Sequence, residues 1–181
     1  MKKFMKYLAL LRGINVGGKN KIAMSDLASI FQNLGFQNVQ TYINTGNVIF
    51  ETESLGLVDL TKKIEDSILQ NLGLNIKVHV VEFDLIIKVW QKTKADWTND
   101  KNQKTDVLFL WSEVNSPESI NQIETNPAVD NLLFFQELGV LVWNIDKLVY
   151  KDSGMHKFVG TKIYKSMTAR NINTIRKIAE L

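Results

Sequence analysis

The stretch VQTYINTGNVIF, residues 39–50, decides the fold because it predicts two strands joined by a tight turn. Apolar and β-branched residues dominate residues 39–43 and 48–50, as they do in strands. Between them, residues 44–47 read Asn-Thr-Gly-Asn, and each of these residue types tolerates turn geometry. The stretch therefore predicts an antiparallel hairpin.

One strand and one helix are predicted before this hairpin, and one helix and one strand after it. Residues 7–11 form a short apolar run typical of a buried strand, and residues 76–80 alternate between apolar and polar side chains. The two helices are predicted from apolar stripes at helical spacing, each followed by a glycine. The stripes are Leu27, Ile30, Phe31 and Leu34 before Gly35, and Leu57, Leu60, Ile64, Ile68 and Leu72 before Gly73. The resulting order, β-α-β-β-α-β, is the ferredoxin-like arrangement, an antiparallel sheet with helices on one face.

The second half of the chain repeats this order less regularly. A helix is predicted near residues 83–90, a polar linker follows up to residue 104, and strands are expected at 107–111, 132–135 and 140–145. Ser116 before Pro117 predicts a capped helix start. We expect an α+β protein of two ferredoxin-like subdomains, with residues 1–82 as the first, 83–104 as helix and linker, and 105–181 as the second.

Composition excludes several classes of protein. The chain has 181 residues, 45% of them hydrophobic, and it contains no cysteine, so disulfide frameworks, thiolate zinc sites and cysteine nucleophiles are ruled out. The apolar run after Lys2, Lys3 and Lys6 is too short for a signal sequence, and no run reaches the length of about 18 residues that a membrane helix needs. We expect a cytoplasmic protein that does not enter a membrane.

The formal net charge of +3 hides an uneven distribution. Residues 1–25 carry six basic and no acidic side chains, residues 26–146 carry eight and seventeen, and residues 147–181 carry eight and two, which gives +6, −9 and +6. The two basic ends could form one face that meets an anionic partner, or they could be separate solvated surfaces.

A glycine-rich segment follows the first strand. Gly13 to Lys19 fits the G-x-x-x-x-G-K part of a P-loop, but Asn20 stands where the motif needs Ser or Thr, and the βαββ order lacks a parallel sheet. A triphosphatase is therefore disfavoured. Two interpretations stay open: a loop whose amides and cations bind an anion without catalysis, and a tight connection that needs glycine only for its shape.

The C-terminal segment 168–174 contains a second arginine. If Thr168 caps the last helix, Arg170 lies in its first turn, where a cation opposes the helix dipole unless a carboxylate or a bound anion offsets it. Candidates for proton transfer are few: His156 is expected in a loop, His79 in a strand, and no metal-ligand spacing is present. Catalytic residues are not predicted, and no cofactor or metal is expected.

Three motifs together resemble a bacterial family of unknown function, DUF1697. They are YLALLRGINVGGKN at 7–20, TYINTGNV at 41–48 and TARNINT at 168–174. The resemblance implies two ferredoxin-like subdomains and no particular activity. The resemblance marks the positions Arg12, Gly13, Asn15, Gly17, Gly18, Asn44, Gly46, Asn47, Thr168, Arg170, Asn171, Asn173 and Thr174. We add Lys19 to them as a candidate ligand. The family commonly has Trp where this chain has Ile172, and Ser where it has Thr45.

The marked set is rich in Arg, Asn, Gly and Thr and contains no acid, His or Cys, which suits recognition of an anion or amide better than proton transfer. We expect a protein that binds an anionic small molecule or nucleotide where the Arg12 and Arg170 motifs meet. Two alternatives remain: an enzyme acting on a phosphorylated or carboxylated substrate through Lys19 and His156, and a structural network tying the halves together. Specific nucleic-acid binding is disfavoured because only Tyr7 and a late Phe50 offer aromatics on strands one and three.

Overall fold

A computed structural model describes residues 4–181, so Lys2 and Lys3 of the basic N-terminal segment lie outside the described residues. The chain divides into two compact units, Met1–Asp84 (unit 1) and Leu85–Leu181 (unit 2). Each unit holds one four-stranded antiparallel sheet. The predicted α+β class with two ferredoxin-like subdomains is confirmed.

Unit 1 follows the predicted order. Its elements are β1 (Phe4–Leu11), α1 (Met24–Asn33), β2 (Gln37–Tyr42), β3 (Asn47–Glu53), α2 (Leu57–Leu72) and β4 (Val78–Glu82). The sheet order is β2-β3-β1-β4, which places β1 and β3 in the centre. Each helix ends before a glycine in the left-handed region, Gly35 at φ +81° and Gly73 at φ +65°, as the sequence predicts.

The core of unit 1 lies between its sheet and its two helices. Leu27, Ile30 and Phe31 are the buried residues of α1, and burying each such side chain contributes about 1.5–3 kcal/mol. Phe50 of β3 is the centre of an aromatic cluster, with ring centroids 4.6 Å from Phe36 and 5.3 Å from Phe31. These contacts fix α1 and the segment that follows it against one face of the sheet.

Unit 2 contains the remaining elements. They are α3 (Phe83–Lys92), which begins at the boundary, then β5 (Gln103–Leu110), α4 (Pro117–Ile120), β6 (Asn131–Phe135), β7 (Val140–Asp146), α5 (Gly154–Phe158), α6 (Lys162–Lys165), β8 (Met167–Asn171) and α7 (Ile172–Ala179). The sheet order β6-β7-β5-β8 matches that of unit 1. The predicted cap at Ser116 is present, because its side chain accepts a hydrogen bond from the Ser119 N–H.

The structure corrects the prediction for the C-terminal segment. Thr168 does not cap the last helix, and Arg170 does not lie in a helical turn, because both residues belong to strand β8. This strand pairs antiparallel with β5, with Arg170 opposite Val107. The helix begins one residue after Asn171, which is its N-cap. Thr and Asn are both favourable capping residues, so pairing with β5 decides where the helix starts.

One further expectation for unit 2 differs from the structure. His156 is predicted in a loop but lies in α5, where it is exposed and packs edge-to-face on Tyr150 with 5.3 Å between ring centroids. Trp97, in the polar stretch before β5, is only 5% exposed. Among the described residues, no helix has the length and apolar character needed to cross a membrane.

Candidate functional site

The glycine-rich segment between β1 and α1 folds into a small hairpin of its own. Val16 and Lys19 form an antiparallel bridge, and the Lys19 N–H donates to the Val16 carbonyl (3.2 Å). The two residues between them, Gly17 (φ +59°) and Gly18 (φ +75°), are both left-handed, which is the geometry of a type I′ turn. A P-loop would continue from Gly-Lys directly into a helix, whereas α1 begins only at Met24.

The side chain of Asn15 fastens this hairpin to its surroundings. Its Nδ2 donates to the carbonyls of Ile22 (3.0 Å) and Asn44 (2.8 Å), and its Oδ1 accepts from the Ile22 N–H (2.9 Å). Asn20 also serves the backbone, because its Nδ2 donates to the Gly13 carbonyl (3.0 Å). Both amides therefore hold the loop in shape.

The hairpin turn between β2 and β3 lies beside the glycine-rich segment. The sequence leaves open which end of the sheet each occupies, and the structure brings them together. The Leu11 N–H donates to the Gly46 carbonyl (2.8 Å), and Leu10 pairs with Asn47. Asn47 is fully buried, and its Nδ2 donates to the Tyr42 carbonyl (3.0 Å).

A basic depression of about 360 Å³ opens next to this hairpin. The described residues that line it include three cations, Arg12, Lys19 and Lys77, and no carboxylate. Gly13, Asn20 and Asn75 line it as well. We call this the unit 1 depression. A second, wider depression of about 490 Å³ is lined by Asn15, Gly18, Lys21, Asn44 and the start of α1.

Arg12 and Lys77 face each other across the end of the sheet. The register pairs Leu11 with Val78, and the Arg12 N–H donates to the Lys77 carbonyl (2.9 Å), which continues the pairing by one residue. Side chains of directly opposite residues lie on the same face of a sheet, about 4.5–5.5 Å apart at Cβ. The register therefore places the side chains of Arg12 and Lys77 on the same face of the sheet, and both residues line the unit 1 depression.

In unit 2, the Arg170 side chain is 8% exposed and bonds within its own strand. Its Nη1 donates to the Thr168 hydroxyl (3.1 Å) and to the Ala169 carbonyl (2.8 Å). Burial lowers the pKa of the Arg170 guanidinium to about 10, which the nearby Tyr164 opposes in part. At neutral pH the group is therefore a buried cation.

The asparagines that follow Arg170 support local structure. Asn171 Oδ1 accepts from the Thr174 N–H (2.9 Å) and caps α7. Asn173 Nδ2 donates to the Asn99 carbonyl (2.8 Å) and fastens the start of α7 to the connection before β5. These contacts, like those of Asn15, lie within a single unit.

Sequence reasoning misses Lys77. This residue stands one position before β4, and its importance becomes visible only when β4 is set in register against β1. The antiparallel order predicted for the sheet does not contain this signal, because the residue opposite Arg12 depends on the register of β1 against β4. It also misses Asp130, a buried carboxylate in unit 2.

Fold and site together define a two-unit α+β protein with a repeated ferredoxin-like architecture and a basic depression at the end of the first sheet. The chain belongs to the family described as "Protein of unknown function (DUF1697)", which matches residues 5–136. It is similar over 98% of both chains to the structure of the conserved bacterial protein SP0830 from Streptococcus pneumoniae, with 26% identity and a TM-score of 0.81. A comparison with curated proteins finds no match.

Proposed function

We propose that the protein binds an anionic small molecule, bearing phosphate or carboxylate groups, in the unit 1 depression. The observation that carries this proposal is the pairing of Arg12 with Lys77 across β1 and β4, beside a third cation, Lys19. A phosphate or carboxylate group bound between these side chains would interact favourably with more than one positive charge.

The chemistry of the lining groups favours an anion with several oxygens. A guanidinium offers a planar fork of donors that matches phosphate or carboxylate, and lysine adds mobile point charges. Gly13 and Asn20 border the same space. Glu65, whose carboxylate accepts a hydrogen bond from the Val78 N–H (2.8 Å), is not among the lining residues.

Binding is better supported here than catalysis. Among the described residues that line the depression, the ionisable groups are arginine and lysine, and neither a carboxylate nor a histidine is there to accept a proton. An activity there would have to use one of the lysines or the bound molecule's own groups. We place the binding in the cytoplasm, as the sequence predicts.

A structural role is the second candidate, for the asparagines in particular. Asn15, Asn47, Asn171 and Asn173 each direct side-chain hydrogen bonds to backbone groups of their own unit. Substituting them would then lower stability and affect binding only through the shape of the loop. The participation of Arg170 in the same anion site stays a prediction, which Arg170→Lys tests by its effect on anion affinity.

Calorimetric titration at low salt tests the proposal, with inorganic phosphate, pyrophosphate, AMP and citrate as probes. We expect at least one probe to bind, with an affinity that falls as salt rises, because the lining cations border open solvent. Arg12→Ala and Lys77→Gln should each weaken binding about tenfold or more, since each removes a charge-assisted hydrogen bond. Lys62→Gln, an exposed lysine of α2 away from the depression, is the matched control.

Two results would count against the proposal. One is that no probe binds to the wild type or to any variant, although each variant unfolds at the same denaturant concentration as the wild type and is therefore folded. The other is that Lys62→Gln weakens binding as much as Arg12→Ala, which would indicate general charge attraction. Titration with a short RNA is included, because salt-sensitive RNA binding that depends on Lys62 equally would point to non-specific phosphate contact.

A further inference from the structure

A pocket of about 330 Å³ lies in unit 2, where the connection between α4 and β6 meets the segment containing α5 and α6. We call it the unit 2 pocket. Its apolar lining, which we call the floor, consists of Ile123, Phe158 and Ile163, and its polar lining residues are Gln122, Glu124, Lys157 and Thr161. This volume is at the lower end of the range of about 300–1,000 Å³ that small-molecule sites occupy.

The walls of the pocket are held in a close approach that only glycine allows. A Cβ at Gly154 would lie 1.9 Å from the Glu124 carbonyl oxygen, so any larger residue would push α5 away from residues 124–125. The shape of the pocket therefore depends on Gly154.

Asp130 locks the same two walls together. Its Oδ2 accepts from the N–H groups of Gly154 (2.7 Å) and Asn126 (2.6 Å), and its Oδ1 accepts from Trp143 Nε1 (2.9 Å). This carboxylate is 8% exposed, and it joins the start of α5 to the loop before β6. The pocket is thus formed before any ligand arrives, which lowers the entropy that binding has to overcome.

The floor is rigid and apolar. Ile123 is 7% and Phe158 is 5% exposed. The Phe158 ring is held by Trp143 and Tyr164, with centroid separations of 5.3 and 5.4 Å. An aliphatic or aromatic group that covers this floor would leave water, at a gain of roughly 25 cal/mol per Å² of apolar surface.

The polar rim carries one charge of each sign. Glu124 and Lys157 are exposed at their positions, and neither takes part in an ion pair among the residues that the structure describes. A ligand with only one charge would pair with one of these groups and leave the other to solvent. A zwitterion satisfies both.

We propose that the unit 2 pocket binds a hydrophobic α-amino acid in its zwitterionic form. The apolar side chain covers Ile123 and Phe158, the carboxylate meets Lys157, and the ammonium group meets Glu124. Gln122 and Thr161 supply further hydrogen bonds at the rim. This site uses none of the residues of the unit 1 depression, so the two proposals stand or fall separately.

Calorimetric titration with L-leucine, L-methionine and L-phenylalanine tests the proposal on the full chain. Glycine, leucinamide and N-acetyl-leucine serve as ligands that lack the apolar side chain, the carboxylate and the ammonium group. We expect at least one of the three amino acids to bind, and each deficient ligand to bind about tenfold or more weakly, because each loses apolar contact or a charge-assisted hydrogen bond.

Two variants assign the charges. With Lys157→Gln, the affinity for leucine should fall to that for leucinamide, and the affinity for leucinamide should change little. With Glu124→Gln, the affinity for leucine should fall to that for N-acetyl-leucine, and the affinity for N-acetyl-leucine should change little. Lys151→Gln, an exposed lysine that does not line the pocket, is the control. Both substitutions are at exposed positions, so the fold is expected to be retained and is checked by denaturant unfolding.

The proposal is overturned if none of the three amino acids binds to the folded protein. It is equally overturned if leucinamide and N-acetyl-leucine bind as well as leucine, since the pocket would then be merely apolar. Loss of leucine binding with Arg12→Ala would place the amino acid in the unit 1 depression, and this too would refute the assignment.

Discussion

Replacing Gly46 by alanine tests how the glycine-rich segment and the β2–β3 hairpin fit together. Gly46 is buried with φ +79°, and a Cβ there would lie 2.8 Å from Leu11 Cβ and 2.8 Å from Ile14 Cδ1. These contacts are shorter than a packed side chain can tolerate, and Leu11 Cβ is anchored directly to the backbone of β1. The substitution therefore combines backbone strain with overpacking.

The expected magnitude is obtained from a matched substitution. Gly35 has nearly the same φ, +81°, but a Cβ there meets nothing within 4 Å. Gly35→Ala should therefore lower the free energy of unfolding only by the conformational cost of about 1 kcal/mol. Gly46→Ala adds overpacking of about 1–3 kcal/mol, which gives a total of about 2–4 kcal/mol. For a chain of this length, that total lowers Tm by roughly 4–16 °C.

The measurement is denaturant unfolding followed by far-ultraviolet circular dichroism, with tryptophan fluorescence recorded in parallel. All four tryptophans, at positions 90, 97, 111 and 143, lie in unit 2, so their fluorescence reports on that unit. Equal destabilisation by Gly46→Ala and Gly35→Ala would refute the packing argument, because the backbone conformation would then account for the whole effect.

Three further predictions concern stability. Asp130→Ala should lower the free energy of unfolding by at least about 3 kcal/mol, because three N–H donors lose their acceptor at roughly 1–3 kcal/mol each. Asp152→Ala, at an exposed position, is the control and should change this free energy little. Tryptophan fluorescence during urea unfolding measures both variants. Ile43→Gly should raise the free energy of unfolding in the same assay by about 1 kcal/mol, because this β-branched residue is 45% exposed and held at φ +49°. A free energy of unfolding below that of the wild type would show that the side-chain contacts of Ile43 outweigh the strain. Hydrogen bonds from the Gln103 N–H, the Thr98 hydroxyl and the Asn102 N–H lower the pKa of Asp100 from 3.8 to about 2, so the contribution of this carboxylate to the free energy of unfolding is present above pH 3.8 and is lost as the pH falls through about 2. The urea midpoints of wild type and Asp100→Asn should therefore converge over that interval. A difference that stays constant would contradict the assignment.

The elements with local signals were predictable from the sequence. Leu27, Ile30 and Phe31 form one buried face of α1, and Gly35 and Gly73 follow the helix ends, because helical spacing and left-handed glycines act within a few residues. The hairpin of residues 39–50 was predictable for the same reason.

The segment 167–171 was not predictable in this way. Thr168 and Asn171 are both suitable helix caps, and local preference cannot choose between them. The choice is made by β5, which lies about sixty residues earlier in the chain and takes residues 167–171 as its edge partner. Tertiary pairing here overrides a local preference of comparable strength.

The residues of the candidate sites also differ in whether local sequence predicts them. Arg12 and the glycine-rich loop can be found from residue types, whereas Lys77 requires the register of β1 against β4. Asp130 leaves no motif, because its importance comes from three donors that folding brings to it. Residues with functional chemistry are visible in the sequence, and their partners are visible only in the fold.

The hydrogen bonds of the marked asparagines narrow what the unit 1 depression can recognise. Residue types alone suit either an anion or an amide ligand, since asparagine can pair with both. In the structure, the amides of Asn15 and Asn47 are directed to backbone groups, so they are engaged before a ligand arrives. Among the residues that line the proposed anion site, Arg12, Lys19 and Lys77 are positively charged donors that cannot accept a hydrogen bond, and Asn20 already donates to the Gly13 carbonyl. Asn75 is the remaining amide of the lining. A neutral amide would find a matching donor and acceptor only at Asn75, whereas a phosphate or carboxylate group would interact with all three cations.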